Sequence, residues 1–153
     1  MDRDKPAYID YKELKIKDFQ FWNLQLHMRQ HPYIGRCYAW CKRNAKNVIE
    51  MNADEEKELF SEIIPQWWRA VQELYQSEWP NASCYGNTSA HLHWHLIPRF
   101  NGQRKLIFMV QNAPYEMVFE DKNKGKNYAP YEDVNVDIEI LKQIRKDIAS
   151  KLK

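Results

Sequence analysis

The chain has 153 residues, and its 23 basic and 21 acidic side chains leave a formal net charge of +2. That near balance gives no electrostatic case for coating a nucleic acid or an acidic membrane surface, and the length suits one domain spanning residues 1–153. A 14% aromatic share argues against disorder, and no run of about 18 apolar residues and no leading apolar region marks a membrane span or a secretory signal.

Residues 1–18 mix charge with few apolar positions and read as an N-terminal arm with a short helical turn. Trp22, Leu24, Leu26 and Met28 then alternate with Asn23, Gln25 and His27, the period of a half-buried strand. Gln30-His31-Pro32-Tyr33 predicts a turn, because proline fixes its own φ and restricts the residue before it. His31 is expected there as a surface residue. A second strand over 36–42 makes an antiparallel hairpin with the first. Lys42 and Arg43 end it, either as a solvated strand end or as a pair facing a phosphate. Cys37 and Cys41 share one strand face and are expected as buried apolar residues, with metal ligation the alternative. With Cys84 they make an odd number without CxxC spacing, which fits reduced thiols in a cytoplasmic protein.

Asn52 with Glu55 three residues on is a capping-box pattern. Asp54, Glu55 and Glu56 suit the positive end of the helix dipole. Leu59, Ile63, Trp67, Val71 and Leu74 recur at steps of three and four, so an amphipathic helix runs to about residue 76. Pro65 predicts a kink within it. Trp79-Pro80-Asn81 breaks the helix, and a short strand follows over 82–85. Gly86-Asn87-Thr88-Ser89 is a small, polar loop whose backbone N–H groups can approach an anion.

His91-Leu92-His93-Trp94-His95-Leu96-Ile97-Pro98-Arg99 comes next. In a strand, alternate side chains share a face. The three histidines would stand in one row, with Leu92, Trp94 and Leu96 turned to a core. Imidazole is the one side chain whose ordinary pKa, about 6.5, lets it act as nucleophile, acid or base near neutrality. Metal ligation is the runner-up reading of the row, but the flanks add no further His, Cys, Asp or Glu ligand. Asn101-Gly102 signals a turn, and 106–109 read as another strand. Residues 111–153 form a C-terminal extension: an irregular segment with an extended piece near 116–119, then an amphipathic helix from about Asp137.

The pattern His-φ-His-φ-His-φ-φ followed by Pro-Arg resembles the signature of the histidine triad family of nucleotide hydrolases and transferases. Gly35 to Arg43, a Gly-led strand ending in Lys-Arg, is similar to that family, as are Asn81 and Gly86-Asn87 before the triad. Phe119-Glu120-Asp121 and Gly125-Lys126-Asn127-Tyr128 resemble the tail of its bacterial-type, dinucleoside polyphosphate hydrolase-like branch. Many members carry a fourth histidine after the Lys-Arg pair, where this chain has Asn44.

The resemblance implies an α+β fold: a five-stranded antiparallel sheet, one long central helix and a C-terminal helix, usually paired as a homodimer. It implies attack on the α-phosphate of a nucleoside monophosphate conjugate, either a dinucleoside polyphosphate or a phosphoramidate of adenosine or guanosine type. A nucleotidyl-histidine would form on the way. His93 matches the nucleophile, His95 the residue near phosphate and leaving group, and His91 an orienting residue. Asn81, Asn87, Thr88, Ser89 and Arg99 are expected as substrate-binding residues. The scheme needs no metal and no cofactor. A nucleotide-binding module without turnover is the second alternative, since fold does not guarantee activity.

Overall fold

In a computed structural model, residues 11–123, 125, 129–130, 132 and 134–153 are described. Trp22–Leu26 (β2) and Cys37–Cys41 (β3) pair antiparallel, with Trp22 opposite Cys41 and Leu26 opposite Cys37. Lys15–Asp18 (β1) joins the outer edge of β2. Of the stretch 1–18 read as an arm, residues 1–10 lie outside the described residues; the expected helical turn lies at Tyr11–Leu14, and Lys15–Asp18, not expected as a strand, form one.

His93–Arg99 (β5) pairs with β3, and Trp79–Ser83 (β4) pairs with β5. The result is a five-stranded antiparallel sheet in the order β1-β2-β3-β5-β4. β4 begins at Trp79, so Trp79-Pro80-Asn81 belongs to the strand and does not merely break the helix. An edge strand is where a proline, lacking a donor, is tolerated.

One face of the sheet carries Trp22, Leu24, Leu26, Cys37, Ala39, Cys41 and Leu96, all inaccessible to solvent. The long helix lies in the same apolar cluster, with Leu59, Ile63, Trp67, Ala70 and Val71. It starts as Ala53–Glu58 (α1) with the expected capping box: Asn52 Oδ1 accepts from Glu55 N at 2.9 Å, and Glu55 Oε1 accepts from Asn52 N at 2.9 Å. It passes through one π-helical turn, Leu59–Ile63, and continues as Ile64–Tyr75 (α2). Pro65, at the start of α2, has no N–H to give, and the wider turn just before it absorbs that loss without ending the helix.

Where α2 crosses the turn before β3 the backbones are close. Gly35 sits there with φ +95°, and a Cβ on it would lie 2.6 Å from Val71 Cγ1. Trp67 Nε1 donates to the Gly35 carbonyl at 2.9 Å. A side chain at 35 would be both strained and obstructed.

Ile138–Lys151 (α3) packs against α2 and β1 and buries Ile140, Leu141, Ile144 and Ile148. Asp137 caps it. Between the sheet and α3, Gln103–Val110 (β6) and Ala113–Glu120 (β7) form a separate antiparallel hairpin. The irregular segment expected over 111–134 thus begins as a strand, which contains the extended piece expected near 116–119 and starts three residues before it. The tight turn of the hairpin is made by Gln111 and Asn112, at φ 50° and 64°, the left-handed pair that a two-residue hairpin loop requires. Of the tail resemblance, Lys126, Asn127 and Tyr128 lie outside the described residues.

Candidate functional site

The other face of the sheet is polar and aromatic, and the strand register lays it out in rows. Asn23, Trp40 and His93 are successive cross-strand partners on β2, β3 and β5. Gln25, Tyr38, His95 and Ser83 form the next row, ending on β4. His27 and Arg36 follow beyond Leu26 and Cys37, joined by His27 N donating to Arg36 O at 2.9 Å.

His91 precedes β5, yet its ring stays aligned with the strand. It stacks on Trp40 with centroids 4.6 Å apart and planes 9° from parallel. Its Nε2 lies 2.5 Å from the Cys41 carbonyl. A carbonyl oxygen can only accept, so Nε2 carries the proton. His93 Nδ1 lies 2.7 Å from the His91 carbonyl, and the same reasoning puts its proton on Nδ1. Nε2 of His93 therefore keeps its lone pair. The His93 ring is mostly buried, stacked on Trp40 at 5.1 Å and edge-on to His95 at 5.1 Å.

A cavity of about 840 Å³ opens over this face. His93, His95, Asn87, Thr88 and Ser89 line it, so five of the eight expected residues converge. His27, Arg36, Tyr38, Trp40 and Tyr85 complete much of its wall. Gly86 turns the loop with φ +70°. His91 does not line the cavity; it touches the wall through its stack on Trp40 and its carbonyl on His93 Nδ1.

Arg99 is elsewhere. It is buried, and its guanidinium holds both oxygens of Asp121 at 2.6 and 3.1 Å, with Asn81 Oδ1 at 3.3 Å. Arg99 and Asn81 do not line this cavity; Arg99 is in an ion pair with Asp121, and Asn81 is its neighbour on β4. Lys42 and Arg43 are also committed to structure. Lys42 Nζ donates to the Phe19 carbonyl, and Arg43 grips the Glu55 carboxylate at 2.9 and 3.2 Å. Asn44 is exposed beside them. His31, expected at the surface, is half-buried against the Phe119 ring and within 3.2 Å of the Glu132 carboxylate.

The electrostatics of the cavity are those of buried imidazoles beside a buried cation. His95 is pushed down to about 4, first by burial, then by Arg36 and His93. Its Nδ1 is buried without a hydrogen-bond partner among the described residues. His27 is held well below the ordinary range by burial, then by Arg36, His95 and Arg29. Its Nδ1 accepts the Arg29 N–H at 2.8 Å, so a neutral ring carries its proton on Nε2. Both rings are neutral at pH 7. No acidic side chain lines the cavity among the described residues.

His27, Arg36, Tyr38 and Trp40 were not expected as site residues. Their strand alternation places them on the polar face, but only the order of the strands brings that face beside the histidines. No three His, Cys, Asp or Glu side chains converge as a metal-ligand set among the described residues. Likewise, no described helix is long and apolar enough to cross a membrane.

No protein-family model matches the sequence, and the search of curated proteins found no match. Solved structures do match. A hypothetical histidine triad nucleotide-binding protein from Sulfolobus tokodaii superposes with a TM-score of 0.63 at 13% identity, covering 90% of this chain and 82% of that one. A histidine triad protein from Bradyrhizobium japonicum gives 0.62 at 16% identity, covering 91% and 90%. A zinc-bound histidine triad family protein from Mycobacterium smegmatis gives 0.57 at 16% identity, covering 90% and 84%. The likeness is one of fold: this chain has the histidine triad fold.

Proposed function

We propose that this chain is a histidine triad nucleotide hydrolase or transferase that cleaves a nucleoside monophosphate conjugate at its α-phosphate. The observation that carries the reading is the His93 tautomer. Nδ1 is tied to the His91 carbonyl, and Nε2 presents a lone pair within a cavity large enough for a nucleotide. A neutral nucleophile suits an anionic phosphate, which would repel an anionic one.

In the first step Nε2 bonds to phosphorus, and the bond from phosphorus to the leaving group breaks with its electron pair going to that group. In the second, water adds to phosphorus, the P–N bond breaks and its pair returns to Nε2. His95 sits where it can take the water's proton, because its basic form prevails near neutrality. Asn87, Thr88 and Ser89 offer donors to the phosphate oxygens, and Arg36 supplies the buried positive charge. The nucleotide is of adenosine or guanosine type, and the protein works as a cytoplasmic homodimer. Light scattering that returned a single-chain mass at micromolar concentration would remove the dimer.

The test is to mix substrate with protein, quench in alkali and look for a nucleotide on His93 by mass spectrometry. A P–N bond to imidazole is acid-labile, so the quench must be basic. An adduct elsewhere, or full activity in His93→Ala, refutes the reading. The zinc held by the mycobacterial protein supports a second reading, a metal-dependent hydrolase. The described residues do not fit it well, for want of a third ligand. Turnover lost to a strong chelator and restored by zinc would favour it.

A further inference from the structure

Trp40 lies on β3 directly opposite His93. The strand alternates strictly: Cys37, Ala39 and Cys41 are buried, while Tyr38 and Trp40 are half-buried on the polar face. The indole stacks on the His91 ring at 4.6 Å, with planes 9° apart, and on the His93 ring at 5.1 Å, with planes 25° apart. Two residues of extended chain span about 7 Å, and the bicyclic ring meets both imidazoles across that span. The contacts close a circuit. His91 Nε2 donates to the carbonyl of Cys41, the residue after Trp40. The His91 carbonyl accepts from His93 Nδ1, and the face of His93 returns to Trp40.

A hydrogen bond fixes a ring at one point. Held through Nδ1 alone, the His93 ring could still swing about the N–H···O line, and Nε2 would swing with it. A stacked plane removes that freedom. His95 and Tyr38 also touch His93, but edge-on, with planes 66° and 79° apart. Among the described residues, Trp40 is the ring that lies face-on. A reacting atom misplaced by about 1 Å can cost on the order of 10²-fold in rate.

We propose that Trp40 is the positioning residue for the attacking ring: its indole fixes the plane of His93 so that Nε2 points into the cavity, and the His91 ring acts by bracing the indole. The inference rests on the catalytic reading above and adds a residue to it. The rival role for an aromatic side chain in a cavity wall is to bind the nucleobase itself. The two roles differ in what their loss moves. Losing a base contact weakens nucleotide binding. Losing the plane slows the chemical step and leaves binding alone.

The test compares Trp40→Phe, which keeps an aromatic plane opposite His93, with Trp40→Leu, which keeps apolar bulk and loses the plane. Turnover is measured with adenosine phosphoramidate and a diadenosine polyphosphate, and affinity with adenosine monophosphate. Trp40→Leu is expected to lower kcat by about tenfold or more and to change the dissociation constant by less than about twofold. Trp40→Phe is expected to stay within about threefold of the wild type in both. His91→Ala should add less than about twofold once Trp40 is replaced by leucine, because the brace then has nothing to hold. In parallel, the nitrogen chemical shifts of the His93 ring read its tautomer without turnover. They should show Nδ1 protonated in the wild type and in Trp40→Phe, and a mixture of both tautomers in Trp40→Leu. Weakened binding with kcat intact would overturn the assignment in favour of a base contact. An unchanged tautomer in Trp40→Leu would overturn it too, and full additivity with His91→Ala would remove the brace. If neither substrate turns over, the catalytic reading fails, while the tautomer comparison still decides whether Trp40 holds the ring.

Discussion

The His91 carbonyl accepts a hydrogen bond from His93 Nδ1 at 2.7 Å, so the residue two places before the proposed nucleophile sets its tautomer with backbone, not with side chain. This separates the roles of two neighbouring histidines. His91→Ala keeps the carbonyl and loses the ring stacked on Trp40 and bonded to Cys41 O.

The expected outcome is therefore unequal. His93→Ala should lower turnover by on the order of 10³-fold or more, because it removes the attacking atom. His91→Ala should cost less than about tenfold in turnover and about 1 kcal/mol in stability for one lost hydrogen bond. Single-turnover rates with urea unfolding of both variants check this. A His91→Ala protein as dead as His93→Ala, yet normally folded, would mean that the His91 ring touches the reaction.

Much of this was legible in the residues themselves. The strict alternation through 91–97 and 22–28 marks two faces, and the capping pattern at Asn52 marks a helix start, because both depend on near neighbours. What was not legible depends on distant ones. Lys15-Ile16-Lys17-Asp18 has no apolar face of its own and becomes a strand only by pairing with β2. Gln111-Asn112 is a weak turn signal beside Asn-Gly, so the hairpin was missed. Arg99 directly follows the triad, and its partner Asp121 stands 22 residues on, too far in sequence to be read as one. His27 and Arg36 join the site through the strand order.

Trp94 illustrates a partial correction. Its ring lies on the core side, as expected, but is half-buried, edge-on to the exposed Phe60 at 5.5 Å. A fully buried tryptophan would cost about 3–5 kcal/mol on truncation to alanine. Trp94→Ala should fall below that range, at about 2 kcal/mol, whereas Trp67→Ala should fall within it. Trp67 is fully buried and also loses its bond to Gly35 O. Denaturant midpoints at pH 7 give both values, and equal losses would contradict the difference in burial.

Acid should destabilise the fold in two windows. His95 titrates near 4 when folded and near 6.5 when unfolded, so the unfolded chain binds the extra proton between those values. Stability conferred by the neutral ring is full above 6.5 and is lost as pH falls toward 4, and His27 acts in the same direction. Glu55 is held at about 2, mainly by Arg43, against an ordinary 4.5. Its contribution is present above 4.5 and is lost as pH falls through 2. Thermal midpoints between pH 8 and 2 should thus decline twice. Glu55→Gln should remove the lower decline and leave the upper one. A variant that flattened the upper window instead would show that Glu55 has been assigned the wrong range.

Binding should reverse the effect of burial on His95. The charge that the empty cavity brings to this ring is that of Arg36, which disfavours the protonated form. A phosphate beside it brings the opposite charge, which favours the protonated form and raises the pKa. By linkage, a group that holds its proton more tightly in the complex strengthens binding as pH falls. That gain grows as pH drops below the bound pKa and levels off near 4, where the free ring is already protonated. The direct measurement is the chemical shift of the His95 ring against pH, with and without nucleoside monophosphate. In the free protein the midpoint is expected near 4, and in the complex above it. A midpoint unmoved by nucleotide would place the phosphate away from His95 and take that ring out of the second, hydrolytic step of the proposed reaction.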